Sequence, residues 1–240
     1  MAACPHKHTS TPEDRAEAFR DFIQSEAFPC VGAKSALVRD ALEIFTAGRI
    51  DSPADDVDIR IALRNFSDRL ETTGPLVQSF AIVFEAPPED MTEGEFEWYL
   101  WSRLQSLHNL DVVAGEDWAE DIDRDPESAH FAFSLSGEPF FVVGLSPAAT
   151  RPARRFRYPV MVFNSHEQFE RLKSDGRYGK MQEIIRQREL ALCGTINPML
   201  RDHGMGAAAA QYSGRHVSAA WDCPFEVKDD KLPARKPQPA

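Results

Sequence analysis

The sequence predicts an α+β protein: a small, mostly antiparallel mixed sheet flanked by helices. Three observations carry this reading. Helical periodicity recurs near both ends of the chain, two apolar runs surround a glycine-containing turn at its middle, and a strand passes straight into a helix at Asn164-Ser165.

The elements follow in order. Thr11-Pro12-Glu13-Asp14 sets proline and acids at a helix start, and Ala18, Phe19, Phe22 and Ile23 recur at helical spacing. Ala36 to Phe45 repeats that spacing through Leu37, Ala41 and Leu42, which predicts a second helix. Val57 to Leu70 predicts a third. Phe96, Tyr99, Leu100, Leu104 and Leu107 form the clearest amphipathic face, flanked by Trp98 and Trp101. Phe80 to Phe84 is a short apolar run closed by Pro87-Pro88, the pattern of a strand. Phe131 to Leu135 alternates, Gly137-Glu138-Pro139 turns, and Phe140 to Leu145 returns, which predicts a hairpin. Val160 to Phe163 is a further strand. Ser165, with Gln168 three residues on, predicts a capping box at the head of a helix through Phe169 and Leu172. A last helix runs through Met181, Ile184, Ile185 and Leu190.

The chain has 240 residues, 42% of them apolar, enough to bury a sizeable core. No run approaches the roughly 20 apolar residues of a spanning helix, and Met1 to Arg20 has no secretory h-region, so the expected location is the cytoplasm. Residues 1–12 are expected to be a flexible leader, 13–225 a single domain and 226–240 a disordered tail. The Asp/Glu-rich stretch from Glu116 to Glu127 is the expected loop. Acids outnumber bases 38 to 27, which disfavours binding to a phosphate backbone. The densest basic cluster, Arg151, Arg154, Arg155 and Arg157, is short enough to serve one anionic ligand. Four widely spaced cysteines, with no C-x-x-C pair, support neither a zinc ribbon nor a disulfide scaffold.

Several residues could carry chemistry. His166 projects from a helix start beside a strand end. The helix dipole there disfavours imidazolium, and the neutral ring is the metal-binding form. Taken alone, it reads first as an ordinary capping-region histidine sharing the surface with Glu167. Cys223, within Trp221-Asp222-Cys223-Pro224-Phe225, offers a soft thiolate ligand or simple core packing. Arg154 and Arg155 point to different faces of an extended segment, so one could clamp a carboxylate while the other meets water. Phe28 to Lys34 carries a glycine and a lysine ahead of a helix without the spacing of a Walker A loop. HExxH, GxSxG, GxGxxG and the zinc-deaminase signature are all missing, which removes the best support for common hydrolases, dehydrogenases and deaminases.

Six segments occur in order: Phe28-Pro29-Cys30-Val31-Gly32-Ala33-Lys34, Ala153-Arg154-Arg155-Phe156, Phe163-Asn164-Ser165-His166-Glu167-Gln168-Phe169, Asn197-Pro198-Met199-Leu200, Gln211-Tyr212-Ser213-Gly214-Arg215 and Trp221 to Phe225. Together they resemble the YqcI/YcgG family, from about Phe19 to Phe225. The resemblance implies a heme-dependent monooxygenase that N-hydroxylates a guanidino or amino group of a small, arginine-like substrate, in natural-product biosynthesis. The alternative is a non-catalytic heme carrier or sensor. Heme b would be the cofactor, with dioxygen as co-substrate and electrons from an external donor, a separate reductase. No nucleic acid and no membrane is expected as a partner. His166 would hold the iron, with Cys223 as rival. Arg154 or Arg155, with Arg215 as a further candidate, would pair with the propionates, Phe163 and Trp221 would wall the porphyrin, and Tyr212 and Arg215 would serve catalysis. The sequence departs from the family pattern at Ser146-Pro147, where relatives have His-Pro, and at Ala208-Ala209-Ala210, where Ser-Glu-Ala is common.

Overall fold

The computed structural model describes residues 10–70, 77–87, 90–198, 207–218 and 220–228. Its secondary structure runs α1 (Pro12–Gln24), α2 (Val31–Val38), β1 (Leu42–Thr46), α3 (Asp56–Ser67), β2 (Ser79–Val83), α4 (Glu93–Ala114), β3 (Phe133–Leu135), β4 (Glu138–Leu145), β5 (Val160–Ser165), α5 (His166–Ser174) and α6 (Tyr178–Cys193). The five strands form one sheet in the order β1-β2-β5-β4-β3. Only β1 and β2 pair in parallel; every other neighbour is antiparallel. This is the α+β arrangement that the sequence predicts.

Local chemistry sets the boundaries. Thr11 caps α1 through a reciprocal box: Asp14 N–H donates to Thr11 Oγ1 at 3.1 Å and Thr11 N–H to the Asp14 carboxylate at 2.9 Å. Ser136 and Gly137, both at positive φ (52° and 76°), make the two-residue turn between β3 and β4. Such a turn matches the right-handed twist of its strands. It lies one residue ahead of the expected turn, so Glu138 and Pro139 already belong to β4.

Two expectations are corrected. The helix expected over Ala36 to Phe45 does not form as one element. It stops at Val38, Ala41 N–H closes it by donating to Ala36 C=O at 2.8 Å, and Asp40 turns the chain at φ 56°. Leu42 and Ile44 then fall on one sheet face and Phe45 on the other, a two-residue period concealed by apolar residues that also fit a helical stripe. The capping box expected at Ser165 is also not formed. Strand β5 extends through Ser165, whose hydroxyl donates to the Glu138 carboxylate at 2.6 Å, while Gln168 Oε1 accepts the N–H of Gln78 at 3.1 Å.

Alternation along the strands gives the sheet two different faces. Phe80, Ile82, Phe140, Val142, Met161 and Phe163 pack with α3 and α4 in one aromatic-rich core. Ala81, Val83, Leu145, Val160 and Val162 face α1 and α2. Helix α4 approaches β4 so closely that a Cβ on Gly144 would stand 2.7 Å from Leu100 Cδ1 and 2.9 Å from Phe96 Cε1. Beyond its pairing with β3, the outer edge of β4 is covered by the segment around Tyr212, whose carbonyl accepts Gly144 N–H at 2.7 Å.

The expected leader falls mostly on residues 1–9, outside the described residues, and α1 already begins at Pro12. Of the expected tail, 229–240 lie outside the described residues. Glu226 and Lys228 are held to α4, Glu226 N–H donating to Gln105 Oε1 and Lys228 N–H to His108 Nε2, both at 2.9 Å. No helix among the described residues is long and apolar enough to cross a membrane.

Candidate active site

Between the α1/α2 face of the sheet and helices α5 and α6 lies a cavity of about 270 Å³. Its volume falls just below the range for small-molecule sites, which begins at about 300 Å³. Its walls are apolar: Phe28 from the α1–α2 loop, Val143 and Leu145 from β4, Val162 from β5, Phe169 and Leu172 from α5, Met181 and Ile185 from α6. Helix α6 contributes Tyr178, Met181, Gln182, Ile185 and Glu189, a single stripe at helical spacing. Five carboxamides, Asn164, Gln168, Gln182, Asn197 and Gln211, interrupt the apolar surface. Gln168 is buried, and its Nε2 has no hydrogen-bond partner among the described residues. A buried donor left in that state costs roughly 1–3 kcal/mol, so its surroundings favour an acceptor.

Two charged groups reach the cavity. Arg154 donates from Nη1 to Gly144 C=O at 2.9 Å, and burial pulls its guanidinium down to about 10, opposed by the charges of Glu189 and Cys30. It is still a cation at neutral pH. Its stem fits because Gly214, at φ +81°, has no side chain: a Cβ there would stand 3.3 Å from Arg154 Cγ. The glycine of the Gln211–Arg215 segment thus makes room for the arginine. Glu189, buried, accepts Arg151 Nε at 3.1 Å and Nη2 at 2.9 Å through the same oxygen, Oε1. Its Oε2 accepts a long contact, 3.5 Å, from Asn197 N–H.

Cys30 brings sulfur to the same space. It is the N-cap of α2, and its Sγ accepts the N–H of Ala33 at 3.4 Å. Burial pushes this thiol up, while the amides of Ala33 and Gly32 and the charge of Arg154 act against that rise. A Cβ on Gly32 would be 3.7 Å from both Cys30 Sγ and Met181 Sδ, so the two sulfurs flank one small gap.

The predicted site residues do not all converge on this space. Arg154 does. Arg155 turns away, donating to the carbonyls of Ala149 and Thr150, both at 2.8 Å. His166 opens α5 but is not among the residues lining the cavity; burial lowers its pKa, with Glu170 opposing and Lys173 and His130 reinforcing. Phe163 sits on the opposite sheet face, between Phe133 and Phe140. Trp221 packs against Trp101 in that same core. Cys223 also packs there, its thiol raised to about 12 by burial. The Tyr212 hydroxyl is committed to backbone, accepting Phe133 N–H at 3.2 Å and donating to Phe140 C=O at 3.1 Å. Arg215 pairs with Glu97, which also accepts the Ser213 hydroxyl at 2.9 Å. Ser146 is buried away from the cavity, its hydroxyl accepting the N–H of Ala148 at 3.1 Å. Met199 and Leu200 lie outside the described residues.

Cys30 and Glu189 had no assigned role in the sequence, and Gln168 was expected only as the capping partner of Ser165. One signal was legible for Cys30: it stands where a helix start usually carries Ser, Thr, Asp or Asn. The distant elements that meet around Gln168 and Glu189 left no such mark.

Residues 19–226 match the family model described as the YqcI/YcgG family. The chain belongs to the YqcI/YcgG family. Among its relatives, YqcI of Bacillus subtilis, named an uncharacterized protein, is 29% identical over 67% of this chain and 64% of its own length. YcgG of the same organism, also named uncharacterized, is 28% identical over 68% of this chain and 65% of its own length. The chain therefore spans slightly under two thirds of these two relatives. DcsA of Streptomyces lavendulae, provisionally named an N(omega)-hydroxy-L-arginine synthase, is 28% identical over 88% of this chain and 84% of its own length. No solved structure matches the chain.

Heme needs flat apolar walls, a donor for its iron, and cations or hydrogen-bond donors for its carboxylates. The cavity offers apolar walls, one cysteine sulfur, the Arg154 guanidinium and the unpartnered Gln168 amide, so the residues present fit the group. Among the described residues no group of three or more His, Cys, Asp and Glu side chains is placed to hold a metal ion by itself. A porphyrin supplies most of its iron's ligands and asks the protein for as little as one.

Proposed function

We propose that this YqcI/YcgG-family chain is a heme-dependent monooxygenase that N-hydroxylates a guanidino or amino group of a small amino-acid-like substrate in the cytoplasm. The observation that carries the reading is the cavity itself, apolar along its walls yet holding the sulfurs of Cys30 and Met181 and one buried cation. The name of DcsA supports a guanidino substrate of the arginine type.

Bound heme would supply oxygen activation, with dioxygen and a separate reductase as the other reactants: one oxygen enters an N–H bond, and two electrons and two protons carry the second away as water. The chain's own residues do the rest. The walls from Val143, Val162, Phe169 and Ile185 exclude water, which strengthens every polar contact inside. Arg154 offsets an anionic arm, from a propionate or a substrate carboxylate. Glu189 Oε2, held at the rim by the Arg151 clamp, is the acid a cationic substrate would meet. The carboxamides orient the remaining polar atoms. Such positioning supplies much of the rate advantage of an oxygenase whose hard chemistry belongs to its cofactor.

The test is to purify the full chain with heme supplied, record its absorption spectrum, and analyse turnover mixtures by mass. A Soret band with arginine, lysine or a simple guanidine gaining one oxygen is the expected result. A Soret band without any oxygenated product would establish the carrier or sensor reading. No Soret band from folded protein would overturn both.

A further inference from the structure

We infer that the outer face of α5 and α6 docks a small acidic protein that carries single electrons to the cavity behind it. This rests on the heme reading above, in which a separate protein supplies the electrons. Residues 171–188 hold six Lys or Arg against two Asp or Glu, in a chain where acids outnumber bases 38 to 27.

The helical period gives α6 two sides. Tyr178, Met181, Gln182, Ile185 and Glu189 turn to the cavity, while Lys180, Ile184, Gln187 and Arg188 are exposed. Lys180, Ile184 and Arg188 are spaced by four, so they stack along one stripe. Leu190 is exposed one turn beyond Arg186. From α5, Lys173 reaches the Tyr178 ring, its Nζ 5.9 Å from the centroid, which sets the basic end of α5 beside the start of α6. Arg177, between the two helices, has a side chain 68% exposed. The acids of the segment leave the positive excess in place. Asp175 stands 4.0 Å from Arg177, and Glu183 accepts from Gln187 Nε2 at 3.3 Å. Exposed apolar residues inside a charged border have the make-up of a protein contact, an apolar centre with a polar rim.

Charge selects the partner. An acidic protein is repelled by most of this chain and attracted here, so it approaches in one orientation. Screening over about 8–10 Å at physiological salt lets this local charge outweigh the net charge of -11. Position selects the same partner. A helix is about 10–12 Å across, so a carrier seated on α6 stands about one helix diameter from the cavity. Each encounter passes one electron inward and leaves the carrier oxidised. Two encounters supply the pair that the oxygenation consumes.

The test separates docking from chemistry. Full-length protein supplied with heme is titrated with a plant-type ferredoxin at physiological salt. Binding is read by calorimetry and heme reduction by stopped-flow absorbance. Wild type is compared with Lys180→Glu combined with Arg188→Glu, and with Arg69→Glu, an exposed arginine just beyond α3 that pairs with Glu43. Circular dichroism checks folding. Wild type is expected to bind saturably and more weakly as salt rises. The double reversal should weaken binding and slow reduction by at least about tenfold, and Arg69→Glu should change both by under about twofold. No ferredoxin binding, binding that survives the double reversal, or an equal loss in Arg69→Glu overturns the inference and leaves the heme reading standing. Capture of anionic lipid vesicles by this face without ferredoxin binding overturns it as well. Folded wild type without a Soret band overturns the heme reading, and the binding arm still decides the surface. Should the reversed variant fail to fold, Lys180→Gln combined with Arg188→Gln decides: an affinity unchanged from wild type overturns the inference.

Discussion

One sheet supports two surfaces with opposite characters. On the α4 side, Trp101 stacks on Tyr212 with ring centroids 5.4 Å apart, Phe140 meets Phe163 edge-on, and Gly144 is glycine because helix and strand nearly touch. On the other side, strands carrying Val143, Leu145 and Val162 line a cavity that α6 walls as well. Both surfaces are apolar, so apolar character alone did not decide which would close. Side-chain size did. Large aromatic residues at even spacing fill the gap between layers, while smaller aliphatic residues opposite a helix leave room. The packed side holds the fold together, and the hollow side is free to hold something else.

The sharpest way to break this contrast is Gly144→Val. With less than 3 Å to Leu100 and Phe96, the added carbons force the layers apart. A cost above about 3 kcal/mol is expected, read as loss of a cooperative urea transition. Leu100→Ala and Ile185→Ala then compare the two sides directly. Fully buried Leu100 should cost about 2–5 kcal/mol, whereas Ile185, which already faces a void, should cost under about 1 kcal/mol. Equal costs in urea titrations would mean that the second side is packed as well.

Filling the void sharpens the contrast from the other direction. A ligand that enters it at 100 times its Kd should stabilise the protein by about 2.7 kcal/mol, seen as a rise in Tm. Val162→Phe should abolish that rise while leaving the unliganded Tm within a few degrees. The smallest effect concerns acid. His108 sits on the packed side, its Nε2 accepting Lys228 N–H, and burial lowers its pKa against a partial pull from Asp111. The unfolded chain therefore takes up the proton first as pH falls. The contribution of His108 is complete above about pH 6.5 and shrinks below it. His108→Gln should lose less Tm than wild type between about pH 7 and pH 5.5. His166, lowered in the same way, keeps the loss from vanishing.

Much of the scaffold was legible in the sequence, because periods of two and of about 3.6 residues report directly on which surface is covered. Phe131 to Leu145 and Phe96 to Leu107 are examples. The stretch from Ala36 to Phe45 was misread because Leu42 and Phe45 fit a helical stripe while Leu42 and Ile44 carry the period of two, and the left-handed turn at Asp40 separates helix from strand. The cavity was less legible for a deeper reason. Phe28, Val143, Val162 and Met181 come from four elements, and none of them differs in type from a core residue. Emptiness is a property of how they meet. The adjacent arginines were read correctly as diverging, yet which one turned inward depended on the space left by Gly214, sixty residues further along the chain.

The strip around Tyr212 has a consequence for how the chain must be handled. By meeting the Gly144 amide and the Phe140 carbonyl, it shields a border of β4 that would otherwise present unmet backbone groups to water. A fragment ended ahead of Tyr212 would carry that border bare. Naked strand margins recruit one another, so such a fragment should be recovered as assemblies rather than as single molecules.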